Sequence, residues 1–213
     1  TAPNPSVETL VHVALPHTFV LHSHADAILS LTNSPGGREL IERLYGDRVL
    51  IIEYVMPGPE LGAACQAAWQ SIDAERQSRV EGLYLLNHGL FTMGETAELA
   101  LERHLDMVAI AESHLAEAQE PRAEAAVRDF GMAEALRVAE LRARISDAAG
   151  APLLLRRDGS ARTAALIADP AVLEATQAGP MTPDHVIWTK RRALVGEDVD
   201  AYVRDYDAYF EAN

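Results

Sequence analysis

Apolar positions recur with two different periods along the first 118 residues, and Pro, Gly and Asn punctuate each change of period. NPSVETLVHVALPH, residues 4–17, places Pro5 and Ser6 ahead of a helical apolar pattern that Pro16 ends. TFVLHSHADAIL, residues 18–29, predicts a strand running into a helix, and NSPGG at 33–37 a turn. RELIERLYG predicts a helix closed by Gly46, and DRVLIIEYVMPG a β-branched strand stopped by Pro57 and Gly58. Pro59 suits the first position of the next helix, PELGAACQAAWQSIDAERQ. GLYLLNHGLFTMG, residues 82–94, reads as a buried strand with His88 and Gly89 at its end. TMGE at 92–95 predicts a capping box for a long helix. The apolar stripe of that helix is Leu99, Leu105, Val108 and Leu115, and His104 and His114 are surface or half-buried helix residues.

From about residue 119 the composition shifts to Ala, Arg and Glu. MAEALRVAELRARISDAAG predicts a helix with Gly150 past its end, APLLLRRDGSARTAALIADP a short hairpin around Asp158 and Gly159, and PAVLEATQAG another helix. Residues 119–182 hold too few apolar side chains for a separate core and read as a helical appendage or insertion within one domain spanning 1–213. Alternating strands and helices over 1–118 imply a layered α/β architecture.

Composition narrows the function. The formal net charge is −14, from 32 acidic against 18 basic residues, which argues against a nucleic-acid partner. No apolar run approaches the ~20 residues that span a bilayer, so no membrane partner is expected. The chain does not open on a positively charged leader with an apolar core. A single cysteine, Cys65, excludes an internal disulfide and fits a reducing, cytoplasmic setting, where it packs in a helix. Because the first residue is Thr1 and candidate chemistry starts within ten residues of it, the chain is expected to be a fragment of something longer.

The candidate chemistry starts in VLHSHADAIL. On a strand, alternate side chains share a face, so His22 and His24 point the same way with Ser23 opposite. Neutral imidazoles so paired are ready metal ligands, although both could also be ordinary polar residues at a strand end. His88 is the third candidate ligand, since Gly89 after it allows close backbone approach. Three imidazoles would leave one position open on a zinc ion. Glu8, in the apolar-periodic helix just upstream, is either the acid/base of a metal site or a first-turn residue that favours the helix dipole. Ser6 is either a substrate contact or a helix cap. TPDHVIWTK, residues 182–190, reads as an extended segment. In one account Asp184 bonds His185 and Trp188 packs on the core; in the other, His185 or Lys190 contacts substrate at a pocket rim.

NPSVETLVH, VLHSHADAIL and LLNHGLFTMGET together resemble the class II aldolase/adducin family, with its Pro-Ser-x-Glu helix start, His-x-His pair and later His-Gly-Leu. SVETLVHVALPH, YVMPG, NHGLFTMGET, TPDHVIWTK and DYDAYF resemble in particular the aldolase portion of proteins that join a rhamnulose-1-phosphate aldolase to a short-chain dehydrogenase. The resemblance implies a three-layer αβα fold around a mixed, mostly antiparallel sheet. It implies Zn2+, or another divalent transition metal, on His22, His24 and His88, with Glu8 as acid/base. The implied reaction is metal-dependent retro-aldol cleavage of a phosphorylated sugar, rhamnulose 1-phosphate, through an enediolate to dihydroxyacetone phosphate and lactaldehyde. The implied assembly is a homo-oligomer, a tetramer, with a shared active site. Tyr45 is then either an acid lent to a neighbouring subunit or a packed helix-end tyrosine.

Two departures from the family pattern stand out. The upstream Gly-rich phosphate-binding segment does not occur in these residues, leaving Ser6 as the matching contact. A Gly-x-x-x-Gly-x-Gly loop for a fused dehydrogenase does not occur either, so such a domain would lie outside this chain. A sugar-phosphate epimerase or dehydratase using the same metal site, and an adducin-like metal-free interaction module, remain as alternative readings.

Overall fold

A computed structural model of the chain describes residues 4–118 and 130–213. In chain order its elements are α1 (Thr9–Ala14), β1 (Phe19–Ser23), α2 (Asp26–Thr32), α3 (Gly37–Tyr45), β2 (Val49–Ile52), α4 (Pro59–Gln70) and α5 (Ala74–Gln77). They continue with β3 (Gly82–Leu85), β4 (Gly89–Gly94), α6 (Ala97–Ala118), α7 (Met132–Ala149), α8 (Ala161–Ile167), α9 (Pro170–Ala178), α10 (Pro183–Trp188) and α11 (Val199–Ala212). The chain divides into two compact units, residues 1–120 with 181–189, and residues 121–180 with 190–213.

The first unit is built on a four-stranded sheet of order β1-β4-β3-β2. Its β1–β4 and β3–β4 pairs are antiparallel and its β2–β3 pair parallel. Strand side chains alternate faces, and both faces here are apolar. Leu50, Ile52, Leu83, Leu85, Phe91 and Met93 pack with Val11 of α1 and Leu61, Cys65 and Trp69 of α4. Val49, Tyr84 and Leu90, at the alternate positions, pack on the other face with Ile28, Leu31, Ile41, Tyr45, Met107 and Ala111. Helices therefore cover a mixed, mostly antiparallel sheet from both sides, the three-layer αβα arrangement. Burial pushes the Cys65 thiol up to about 11, so it packs as a small hydrophobe. Among the described residues no helix is long and apolar enough to cross a membrane.

The second unit contains α7, α8, α9 and α11. None of α7, α8 or α9 buries a side chain. Polar contacts tie α7 to the start of α11: Arg137 pairs with Glu197, and Arg144 donates to the Glu197 carbonyl at 2.9 Å. The first residues of the expected insertion, 119–129, lie outside the described residues.

Several local expectations are corrected. Residues 82–94 form a hairpin, β3 and β4, with Leu86, Asn87 and His88 as its turn. Asn87 takes the left-handed conformation at φ 57°, which asparagine tolerates better than most residues, and the His88 amide donates to the Leu85 carbonyl. The cap of α6 is Thr96, whose hydroxyl accepts from the Leu99 amide at 3.2 Å; Thr92 is buried in β4 instead. The buried stripe of α6 is Ala100, His104, Met107 and Ala111, while Leu105 faces solvent. The helix after Pro59 breaks at Ser71, and Asp73 caps the short α5. No hairpin forms around Asp158: its carboxylate accepts from the Ser160 amide and the Thr163 hydroxyl at the start of α8. TPDHVIW is helical rather than extended, because Pro183 suits the first turn and the Thr182 hydroxyl accepts from the His185 amide.

Candidate metal centre

Four side chains from three parts of the first unit converge. Glu8 sits at the N-cap position of α1, and its amide donates to the Ser6 hydroxyl at 3.2 Å. His22 lies in β1 directly opposite Phe91 of β4 and stacks on that ring at 3.9 Å, which sets its face of the sheet. His24 is one residue beyond the end of β1, and its ring lies 4.6 Å from that of His22, so the pair shares a side as the strand period requires. His88, in the β3–β4 turn, is buried with 2% exposure. Glu8 Oε1 lies 2.8 Å from His88 Nε2, 3.2 Å from His22 Nε2 and 3.6 Å from His24 Nε2. One ligand atom from each of the four lies within 4.8 Å of the other three.

Hydrogen bonds behind the cluster orient two of the rings. His22 Nδ1 donates to the Leu90 carbonyl at 3.0 Å, since a carbonyl only accepts. His24 Nδ1 donates to Asp184 Oδ2 at 2.9 Å. Both Nε2 atoms therefore face inward, 2.8 Å apart. Two neutral rings so arranged would oppose their lone pairs, and only a shared proton or a cation makes the contact favourable. Three inward imidazole nitrogens beside a carboxylate match the donors that divalent transition ions take. The residues present fit a metal, and His22, His24 and His88 with Glu8 are the ones that could hold it.

Electrostatics point the same way. The three imidazoles of His22, His24 and His88 around its Oε1 hold the Glu8 carboxyl far below the usual carboxylate range, so it is ionised. The Glu8 carboxylate beside its Nε2, with the hydrogen bond to Asp184 on its Nδ1, raises His24 above the ordinary imidazole value. In the metal-free protein, protonated His24 adds stability below the ordinary imidazole value, and this is lost as pH rises through its raised value. Ionised Glu8 adds stability above its ordinary value, lost as pH falls through its depressed one. A metal must displace the His24 proton. Apparent zinc affinity should therefore climb as pH rises through the ordinary imidazole value toward the raised one and level off above it, by up to roughly tenfold per unit for one displaced proton. Titration calorimetry in buffers of different protonation enthalpy measures that proton; pH-independent affinity would contradict it.

The other sequence candidates are not among the four converging side chains. Tyr45 is buried in the helix-side core, its hydroxyl donating to the Met107 carbonyl at 2.8 Å; the fold does not bring it to the cluster or leave it exposed to a neighbouring subunit. His185 is exposed on α10 with Nδ1 2.8 Å from the Thr182 hydroxyl. Lys190 belongs to the second unit, its ammonium 3.8 Å from the Tyr206 ring centre. Trp188 does not pack on the core and is 80% exposed.

Asp184 is the residue that sequence reasoning missed. Adjacent residues on a helix diverge, so Asp184 reaches His24 while His185 turns back to Thr182. The TPDH stretch held the signal, but only a helical reading of it separates the two side chains. Ser23 was expected to face away from the histidine pair, and it does. Thr92 donates to the Ala100 carbonyl, so it accepts from His104 Nδ1 at 2.9 Å, leaving His104 Nε2 to accept from Ser23 at 2.6 Å. Burial lowers the His104 pKa and keeps this ring a neutral structural tie between β1, β4 and α6.

Comparison with known proteins bears on this geometry. Residues 1–115 match the Class II Aldolase and Adducin N-terminal domain, and residues 132–213 match the Aldolase class II, second domain. The chain is 33% identical over 113 residues to the "Uncharacterized oxidoreductase YuxG" of Bacillus subtilis (strain 168), across 53% of this chain. It spans only 16% of that relative's length. Among solved structures, the N-terminal class II aldolase domain of a conserved protein from Thermoplasma acidophilum is 38% identical, covering 53% of this chain and 49% of that one, with a TM-score of 0.46. A sugar-phosphate aldolase from Thermotoga maritima is 18% identical, covering 56% and 58%, with a TM-score of 0.43. On the match over its first 115 residues, which carry all four converging side chains, the chain belongs to the class II aldolase and adducin family.

Proposed function

We propose that the chain is a zinc-dependent aldolase that cleaves a ketose 1-phosphate, rhamnulose 1-phosphate, to dihydroxyacetone phosphate and lactaldehyde. The observation that carries the reading is the convergence of three imidazoles and one ionised carboxylate in a chain of this family. His22, His24 and His88 are the residues that would hold the ion. When bound, it supplies fixed positive charge beside the substrate oxygens on which negative charge develops.

The cleavage balances without an oxidant or reductant. The C4 hydroxyl gives up its proton, the C3–C4 electron pair moves toward the carbonyl, and the three-carbon product takes a proton at C3. Glu8 is ionised, part-buried and at the cluster, so it can hold and return that proton. Ser6, bonded to the Glu8 amide, is the proposed contact to the phosphorylated end of the substrate, and His185 a contact at the rim. Tyr45 has no part in this reading.

Glu8→Gln should lower release of dihydroxyacetone phosphate by at least about a hundredfold, with zinc content near that of the unsubstituted protein. Loss of zinc together with activity would make Glu8 a ligand instead. Zinc-loaded protein that releases no dihydroxyacetone phosphate from rhamnulose 1-phosphate would overturn the substrate assignment.

A further inference from the structure

The segment that carries α10 comes from far along the sequence, yet two hydrogen bonds tie it to the early part of the chain, one of them at the cluster itself. Asn33 Nδ2 donates to the Met181 carbonyl at 2.7 Å, and His24 Nδ1 donates to Asp184 at 2.9 Å. Asn33 also accepts from Asn87 Nδ2 at 2.9 Å, and Asn87 is the left-handed residue that turns the chain into His88. One short chain of hydrogen bonds thus joins the α10 segment to the elements that carry two of the three imidazoles.

Those imidazoles are not held equally. His22 is fixed by the β1–β4 ladder, by stacking on Phe91 and by the Leu90 carbonyl. His24 lies beyond the ladder, which ends at Ser23, and its outer partner is a carboxylate rather than a carbonyl. A carboxylate on Nδ1 fixes the tautomer that turns the Nε2 lone pair inward, and makes that nitrogen a better donor to a cation.

We infer that Asp184 is a positioning residue: it holds His24 in ligating orientation and tunes its basicity, so that residues 181–189 complete a metal site whose first-contact residues all lie within the first 88. This inference rests on the metal-centre reading above.

Zinc titration of the full chain against a competing chelator tests it. Asp184→Ala should weaken zinc binding by about tenfold, the low end of the range for outer-partner loss because Asp184 is 62% exposed. Asp184→Asn keeps an acceptor oxygen but loses the charge, so its affinity should fall between the two. A purely structural role would lower the melting temperature of the metal-free chain in both variants and show no such graded rescue in affinity. Zinc affinity of Asp184→Ala within twofold of the unsubstituted chain would overturn the inference and leave the metal centre standing. An unsubstituted chain that takes up no zinc would remove the metal centre, and the role of Asp184 with it.

Discussion

His88→Ala is expected to weaken zinc binding by more than about a hundredfold, beyond the 10–100-fold that loss of an outer partner brings. His88 is the most buried of the four converging residues, and its Nε2 makes the shortest contact to Glu8, 2.8 Å. Removing the ring takes away one of three nitrogen donors and leaves a void beside an ionised carboxylate. Glu8 then loses its closest imidazole partner, and its pKa moves up toward the ordinary value. Metal analysis after equilibrium dialysis reads the first effect. His114→Ala, altering a histidine of α6 outside the cluster, is the matched control and should keep its zinc. Equal zinc content in the two variants would count against the site.

Gly89→Ala is expected to damage both stability and metal binding, although it adds one methyl group. A Cβ at this position would lie 2.6 Å from the Ser23 carbonyl oxygen, 3.0 Å from the His24 ring and 3.1 Å from the His22 ring. The nearest obstacle is backbone, so β1 and β4 must separate where they hold two ligands side by side. Overpacking of this kind costs about 1–3 kcal/mol. For a chain of this length that lowers the melting temperature by roughly 2–12 °C. Displacement of His22 and His24 should weaken zinc binding as well. Thermal unfolding with and without zinc separates the two effects, and a variant with normal stability and normal zinc affinity would mean that the strands give way more easily than their packing implies. Glycine here makes room for the other two imidazoles, a more specific reason than the close approach read from the His-Gly pair alone.

Much of this arrangement was legible in the chain because local rules govern it. The period of 2 put His22 and His24 on one side and Ser23 on the other, and Gly46 and Gly150 ended their helices at positive φ, Gly150 in the left-handed helical conformation. What was not legible depended on tertiary contact. Both β3 and β4 are buried throughout, so they read as one apolar run, and the polar pair Asn87 and His88 between them looked like the end of a single strand rather than the turn of a hairpin. Thr92 has the sequence of a cap but spends its hydroxyl on Ala100 and His104 inside the sheet. The contact between His24 and Asp184 joins residues 160 positions apart, and no local pattern foretells it. The αβα layering and the cluster could be expected from residues 5–94, whereas its outer partner could not.

The central claim is that Glu8, His22, His24 and His88 form the metal centre of a class II aldolase. X-ray absorption at the zinc edge on the zinc-loaded chain tests it most directly. The account predicts about one zinc per chain, ringed by three imidazole nitrogens at about 2.0–2.1 Å with oxygen completing the shell. A shell without imidazole scattering, or one containing sulfur at about 2.3 Å and therefore drawing on Cys65, would contradict it.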